Sequence, residues 1–511
     1  MDKELKALKE RNAWKVVPIG VARNKTVLTG KWVFRVKTKV DGTIDKFKAR
    51  WVVRGFDQEH GRDFTKTFTP VSRHTSLRNL LAIAAMKKKK LRQIDIANAF
   101  LYAPVDAEIF VELPHGSHGE PNQVCQLQKS LYGIKQAPRL WQQYLHARLT
   151  RIRFRQLPHD QGMYRLTKGT DYILLIVYVD DLLYIGSTNN VTTWFEGESQ
   201  KDLTLTVSST VIQYLGLNIQ EEEDAIYLNA TKYADTIAKR FALTPTTIST
   251  PYRYTAGNNK KGSAPLKPAG IREYQRKLGC LLFAAVTCRP DLSYSARQLA
   301  TYLKKPEAEH MAELDRALHY LISTSTVGLT YHKNGTTTPK LIGYVDADHA
   351  GDSDNRRSCT GYIYRFEPIG PISWQSSKQE LVTLSSAEAE YIALCSATKE
   401  GLYLRELMEE VKLAELPNFS LFCDNQSAIC IANKNGFANR TKHIALRYFF
   451  VKDEIEKGRL ELSYCPTSDM AADYLTKTLG KQKFEYCMLL TGQSHVTSSA
   501  TPEAKGSVEN N

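Results

Sequence analysis

No apolar run in the 511-residue chain approaches the ~20 residues needed to cross a bilayer. The longest, Tyr172 to Leu183, is interrupted by Asp180-Asp181, and Met1 to Lys15 is charged throughout. Neither a membrane span nor a secretory signal is read. The nine cysteines form no Cys-x-x-Cys pair and no zinc-type Cys/His cluster. That pattern fits reduced thiols in a cytosolic or nuclear compartment and gives no structural metal site. No internal repeat is found. Acidic residues are the minority charge: 54 Asp and Glu against 69 Lys and Arg, a balance of +15. A basic chain points to a polyanionic partner, with nucleic acid the commonest. With 42% hydrophobic and 24% charged residues, collagen-like, coiled-coil and wholly disordered readings are excluded. At roughly 100–200 residues per domain, the length allows about three domains.

The chain opens with a charged helix and a loop over residues 1 to 25. Two alternating segments, Lys31-Trp32-Val33-Phe34-Arg35-Val36-Lys37 and Phe47-Lys48-Ala49-Arg50-Trp51-Val52-Val53-Arg54, flank a turn at Asp41-Gly42. They predict a hairpin with recurring cations, either solvated or held against phosphates. Leu77, Leu80, Leu81 and Ile83 have helical spacing. Leu91 to Ala97 reads as an apolar strand with one acid, Ser130 to Leu149 as helical, and Ile173 to Ile185 as two strands around Asp180-Asp181. Residues 245 to 270 are rich in Thr, Pro, Gly, Asn and Lys and read as a linker. Glu273 to Leu321 is helical in period. After a break at Lys333 to Pro339, strands near 341–346, 361–367, 371–375 and 420–423 alternate with helices near 387–411, 426–433 and 442–457. Residues beyond about 488 are small and polar, with the composition of a disordered tail.

Two sets of acids stand out. Asp180 and Asp181 sit between apolar strands, where an unpaired carboxylate costs several kcal/mol. They need a counter-charge, and a divalent hard cation suits them, with Asp95 in its own apolar strand as a third ligand. The bland alternative is a solvent-exposed Asp-Asp turn. Asp346 and Asp424 end predicted strands, Glu388 and Glu390 open a long helix, and Asp473 starts a short late one. Converging, such acids repel unless metal neutralises them. Singly, each is commonplace, since acids favour helix starts.

Tyr178-Val179-Asp180-Asp181 resembles the signature of reverse transcriptases. Seven further blocks follow the same order: Gly30-Lys31-Trp32-Val33-Phe34, Lys48-Ala49-Arg50, Thr67-Phe68-Thr69-Pro70-Val71, Gln93 to Leu101, Leu131 to Pro138, Tyr214-Leu215-Gly216 and Thr287-Cys288-Arg289-Pro290-Asp291. Together they are similar to the polymerase of copia-type long-terminal-repeat retrotransposons. The order strand-Asp, helix-Glu, strand-Asp, late-Asp resembles ribonuclease H, in blocks that again look copia-like: Ser373 to Gln379, Ser385 to Tyr391, Cys423 to Ala428 and Arg440 to Ile444.

The resemblance implies a mixed α/β (α+β) multidomain fold. Residues 1–245 would form the fingers and palm of a right-hand polymerase. Residues 246–338 would be a linker and connection, residues 339–480 a ribonuclease H-like mixed sheet flanked by helices, and residues 481–511 a disordered tail. It implies RNA-directed DNA synthesis with cleavage of the RNA strand of RNA–DNA hybrids, by a two-metal mechanism at both sites. Asp95, Asp180 and Asp181 match the family's polymerase metal ligands. Asp346, Glu390, Asp424 and Asp473 match the ribonuclease ligands, with Glu388 left open beside Glu390 and Asp346 preferred to Asp348. Phe100 matches the ring that stacks under the incoming sugar and excludes a 2′-hydroxyl. Lys31, Lys48 and Arg50 are candidates to hold the triphosphate, and Gly133 and Gln136 lie in the block that lines the template and nucleotide pocket. The implied cofactor is Mg²⁺, with Mn²⁺ an alternative. Implied partners are an RNA template, a DNA primer, the RNA–DNA hybrid and deoxynucleoside triphosphates, with a homodimer or other polyprotein products as protein partners and no membrane. The implied location is cytoplasmic, in a virus-like particle, or nuclear, and not secreted.

The resemblance spans about residues 5–480 and has departures. His349 stands where the family commonly has Trp, and Ala445 and Phe449 where an acid and a His are usual. Arg153 replaces a usual Gly, and Phe195 to Ile212 matches poorly. The alternative they raise is a catalytically decayed, nucleic-acid-binding remnant. No integrase zinc module, protease loop or zinc knuckle is read. The chain is therefore expected to be the C-terminal part of a polyprotein, or a gene model that begins inside one, with Met1 an internal methionine.

Overall fold

The computed structural model describes residues 1–495, apart from 24, 39–42, 118, 254–262, 336–337, 352–354, 414 and 434–444. The expected turn at Asp41-Gly42, the block Arg440 to Ile444, much of the 245–270 linker and residues 496–511 lie outside the described residues. The class is mixed α/β, as expected. The chain forms two compact units. The first is Met1–Arg73 with Arg92–Ser209, and the second is His74–Leu91 with the chain from Thr210 onward.

The first unit is built on a six-stranded antiparallel sheet, in the order Leu205–Ser208, Arg92–Ile96, Asp181–Gly186, Asp171–Tyr178, Met163–Lys168, Arg155–Gln156. Its central strands are the apolar runs of the sequence. Ile94, Ile173, Leu175, Leu182 and Tyr184 pack with Trp141, Leu145 and Leu149 of the helix Ala137–Arg151 and with Phe195 of the helix Asn189–Gln200. That helix begins later than the sequence suggests. Gly133 has φ +99, and a Cβ there would strike the Val53 carbonyl, so Leu131 to Gln136 forms a turn. Trp14–Pro18, expected as loop, is an edge strand of a four-stranded sheet. Gly30–Thr38 and Ile44–Val53 form the expected hairpin. Its register pairs Arg35 with Lys48 and Val33 with Arg50 and leaves Trp32, Phe34 and Phe47 for the opposite face. Phe34 and Phe47 are 68% and 77% exposed, so this sheet has a cationic face and an uncovered aromatic one.

The second unit holds two five-stranded sheets. One is antiparallel: Gln213–Tyr214, Leu217–Glu221, Ala225–Asn229, Val327–His332, Gln493–His495. The other is mixed: Gly370–Lys378, Cys359–Glu367 and Lys340–Asp348 pair antiparallel, then Phe419–Cys423 and Leu460–Tyr464 continue in parallel. Parallel neighbours need a crossover. The helix Ser386–Val411 supplies the first, and Gln426–Asn433 with Ala445–Glu456 lie in the second. The strand Leu460–Tyr464, half-exposed at the sheet edge, has no apolar run to announce it.

The Thr287 to Asp291 block ends the helix Pro268–Thr287 and buries an ion pair. Arg289 and Asp291, 0% and 1% exposed, are bidentate, and Tyr320 and Gln493 also donate to Asp291. Gln493 in turn accepts from the hydroxyl of Tyr474. Of the segment 481–511, expected as a disordered tail, the described residues 481–495 fold into a helix and a strand. The helix Lys481–Leu490 buries Phe484 and Cys487, and Gln493–His495 closes a sheet. The cysteines are all free; eight are buried, and Cys430, on the helix Gln426–Asn433, is exposed.

Candidate active sites

The first acid set is assembled by strand register. Asp181 lies directly opposite Asp95 on the neighbouring antiparallel strand, which puts both side chains on one face, their Cβ atoms ~5 Å apart. Tyr178 pairs with Asp181, so Val179 and Asp180 form a two-residue turn. Val179 has φ +56, a left-handed conformation that a β-branched residue adopts only under constraint. The constraint is visible: Trp141 Nε1 donates to the Val179 carbonyl at 2.7 Å, and the Ile96 amide donates to the Asp180 carbonyl at 3.1 Å. Burial raises the Asp180 carboxyl above its ordinary value. Asp95 pushes the same way, while Arg50 and Lys48 oppose it.

Arg50 and Lys48 therefore sit in the field of the acids. Lys31 is exposed on the same hairpin. The Arg50 guanidinium lies over the Tyr132 ring at 4.5 Å, and Phe100 meets that ring edge-on at 4.7 Å. Phe100 follows Asn98, whose φ of +53 turns the chain out of the Asp95 strand. Gly133 and Gln136, from the block expected to line the template and nucleotide pocket, pack at the base of the hairpin. Gln136 is fully buried; it accepts from Gln58 Nε2 at 3.0 Å and donates to the Asp63 carbonyl at 2.8 Å. Gly133 is pressed against Val53. Both tie the base of the hairpin to the start of the helix Ala137–Arg151.

The second set is closer and deeper. Val345 pairs with Cys423 on parallel strands, so Asp346 and Asp424 come next, side by side. The helix Ser386–Val411 adds Glu390 and the turn Ala471–Leu475 adds Asp473. Carboxylate oxygens of Asp346, Asp424 and Asp473 lie within 4.8 Å of one another. So do donor atoms of Glu390, Cys423 and Asp424. Asp346, Glu390 and Asp473 are almost wholly buried, and Asp424 is half-buried. Burial, then Asp346 and Asp424, push the Glu390 carboxyl up to about 9. Burial raises Asp346 as well, against the pull of Lys477. Burial and the Glu390 carboxylate also raise the Cys423 thiol.

Glu388 and Glu390 separate cleanly. Ser385 caps the helix by accepting from the Glu388 amide, and the Glu388 carboxylate accepts from the Leu384 amide at 2.8 Å, so Glu388 serves the helix end. Glu390 Oε2 is buried with no hydrogen-bond partner among the described residues. An orphaned carboxylate oxygen facing further acids is a donor set that fits a hard divalent cation. The sequence reading missed Lys477, whose Nζ lies 2.8 Å from Asp473 and 3.5 Å from Asp346. It also missed Trp141. The available signals were a lysine four residues after the last acid and a tryptophan on a helix core face.

The Reverse transcriptase (RNA-dependent DNA polymerase) family model matches residues 11–253, which include Asp95, Asp180 and Asp181. The Pol polyprotein of transposon TNT 1-94 from Nicotiana tabacum is 34% identical over 96% of this chain and 37% of its own length. The transposon Ty5-1 protein YCL074W of Saccharomyces cerevisiae is 31% identical over 60% of this chain and all of its own length. The chain belongs to the reverse transcriptase family of copia-type transposon Pol polyproteins. It spans about a third of the length of the Pol polyproteins it matches at the highest coverage. Among solved structures, the foamy viral protease–reverse transcriptase in complex with double-stranded DNA aligns over 90% of this chain and 68% of that one, at 13% identity and a TM-score of 0.49. In this reverse transcriptase-family chain the second acid set lies beyond the family-model match, in the part shared with the longer Pol relatives. Among the described residues, no helix is long and apolar enough to cross a membrane.

Proposed function

We propose that this chain copies an RNA template into DNA at Asp95, Asp180 and Asp181, and cleaves the RNA strand of the resulting hybrid at Asp346, Glu390, Asp424 and Asp473. The observation that carries the first half is the register that sets Asp95 opposite Asp181 beside a constrained Asp180 turn, in a chain of the reverse transcriptase family. The orphaned Glu390 oxygen within an acid cluster supports the second. Mg²⁺, with Mn²⁺ as substitute, would neutralise each set and supply Lewis-acid stabilisation of phosphoryl oxygens. In our assignment 1–245 is the polymerase, 246–338 the connection and 339–480 the ribonuclease.

The chain's own groups have separable tasks. Lys48 and Arg50 hold the triphosphate of an incoming deoxynucleotide, close enough to Asp180 to offset its charge. The aromatic face with Phe34 and Phe47 offers stacking surface to unpaired template bases. Phe100, fixed against Tyr132, closes the space a 2′-hydroxyl would need. Phe100→Ala is expected to raise ribonucleotide incorporation relative to deoxynucleotide by at least about tenfold, read by primer extension with each nucleotide set.

The deciding experiment is primer extension on an RNA template by purified protein with Mg²⁺, beside Asp180→Asn, with loss of the labelled RNA strand followed in the same tube. Extension by the parent and none by the variant supports the reading. Hybrid binding without extension, in folded protein, would make the chain a decayed nucleic-acid-binding remnant.

A further inference from the structure

The second unit takes one of its helices from the middle of the polymerase stretch. The segment that holds the helix His74–Met86 is flanked by Arg73 and Arg92 of the first unit and lies inside the reverse transcriptase family match. Yet every residue from Ser76 to Met86 is buried, and the segment belongs to the second unit. A helix covered on all sides needs core around it, and this one packs on the strands Gly370–Lys378, Val327–His332 and Ala225–Asn229. Its Arg78 is buried with it and donates to three backbone carbonyls. Two are Val286 and Thr287, both at 2.8 Å, at the end of the helix Pro268–Thr287. The third is Ile372, on the strand Gly370–Lys378. The guanidinium lies 4.0 Å over the Trp374 ring, and Trp374 Nε1 donates to the Ala285 carbonyl at 2.8 Å. A cation on the last carbonyls of a helix is favoured by the dipole, and the planar fork reaches several carbonyls that one ammonium cannot.

The strand that Arg78 holds leads to the second acid set. Beyond Ile372 on that strand, Ser376 lies in the same row of the sheet as Asp346, with Gly361 between them. The Ser376 hydroxyl donates at 2.6 Å to the carbonyl of Leu475, the last residue of the turn that carries Asp473. We propose that the helix His74–Met86 is a working part of the ribonuclease, and that Arg78 is a positioning residue for hybrid cleavage. Arg78 fixes the strand Gly370–Lys378, and Ser376 on that strand fixes the Asp473 turn. This role rests on the ribonuclease reading of the second acid set. It divides the molecule differently from its sequence: a lesion in the polymerase stretch reaches the ribonuclease site and spares synthesis. The ribonuclease, in turn, is complete only with residues 74–91, because the chain from Thr210 onward lacks that part of its own core.

The test compares the full chain with Arg78→Lys, which keeps the charge and loses the fork. Hybrid cleavage, primer extension and hydrogen exchange by segment are read on the same preparations. In Arg78→Lys, kcat for hybrid cleavage is expected to fall at least about tenfold, with KM for hybrid and the extension rate within about twofold of the parent. Exchange should quicken at least about tenfold in 370–378 and 471–475 and stay unchanged in the strands Arg92–Ile96 and Asp171–Tyr178. Equal loss of both activities, quickening confined to the first-unit strands, or unchanged cleavage overturns the proposal. If Arg78→Lys fails to fold by circular dichroism, the parent decides. A protease site inserted between the exposed Ser209 and Thr210 is cut after folding, which leaves the helix on the upstream piece. The two pieces should elute as one particle with amides 76–86 as protected as before the cut; separation, or loss of that protection, overturns the proposal. A parent without hybrid cleavage fails the ribonuclease reading instead, while exchange and elution, which need no activity, still decide whether the helix belongs to the second unit.

Discussion

The two acid sets are built by opposite strategies. In the first unit, three acids are placed by strand register on an antiparallel sheet, half-buried or exposed, and their counter-charges come from a separate hairpin through Lys48 and Arg50. In the second, acids from two strands, a helix and a turn converge in near-complete burial, and the counter-charge is local, Lys477. The first arrangement leaves one side open to be completed by ligands. The second is closed, stores electrostatic cost, and depends on the elements that hold it. Precision in the first comes from the backbone, and in the second from packing.

The strongest way to break this comparison is to cross the two sites. Asp180→Asn is expected to reduce extension by at least about a hundredfold while hybrid cleavage stays within twofold, and Asp424→Asn to do the reverse. Loss of both activities in either variant would mean that the sites are not separable.

Next in size is the support of the second site. Asp291→Ala leaves Arg289 buried and unpaired, and should cost about 3–5 kcal/mol of stability. It also frees Gln493, and through it Tyr474, the neighbour of Asp473. Denaturant unfolding checks the first effect, and slower hybrid cleavage at unchanged extension the second.

The closed site should also betray itself through pH. Glu390's carboxyl, raised from 4.5 to about 9, holds its proton more tightly folded than unfolded. In chelator-treated protein, the stability contributed by that proton is complete below pH 4.5 and drains away as pH rises toward 9. Glu390→Gln should flatten the fall in denaturation midpoint between pH 5 and pH 8. An identical slope in parent and variant would remove Glu390 as its source.

The smallest effect sharpens the open site. Trp141→Phe keeps the core ring but loses the hydrogen bond to the Val179 carbonyl. Losing about 1 kcal/mol there should lower extension about fivefold, with KM for nucleotide little changed and hybrid cleavage intact. A variant with normal extension would show that the turn is held by its strands alone.

Much of this was legible in the sequence because burying charge is expensive. Asp95 and the Asp180-Asp181 pair stand out as acids inside apolar strands, and the mixed α/β class is what the family resemblance implies. Other features depended on long-range geometry. The local pattern places Gly133 in a helix, whereas its positive φ goes with the close approach of Val53, far away in sequence. Nothing local to Gln136 shows that Gln58 and Asp63 engage its amide. Glu388 and Glu390 are two residues apart on one helix start; the family resemblance prefers Glu390, and the hydrogen bond from the Leu384 amide gives Glu388 its separate task. Lys477 was passed over because a lysine after an acid is ordinary until both fold onto Asp346. The order of residues 481–495 rests on Phe484 and Cys487 finding a core that the segment does not itself carry.

The uneven burial of the thiols has a practical consequence. With eight of nine cysteines inside and Cys430 alone at the surface, a maleimide dye added to native protein should attach at one position. The unaltered chain then carries a single-site handle beside the Asp424 loop, suited to single-molecule observation without engineering a cysteine-free background.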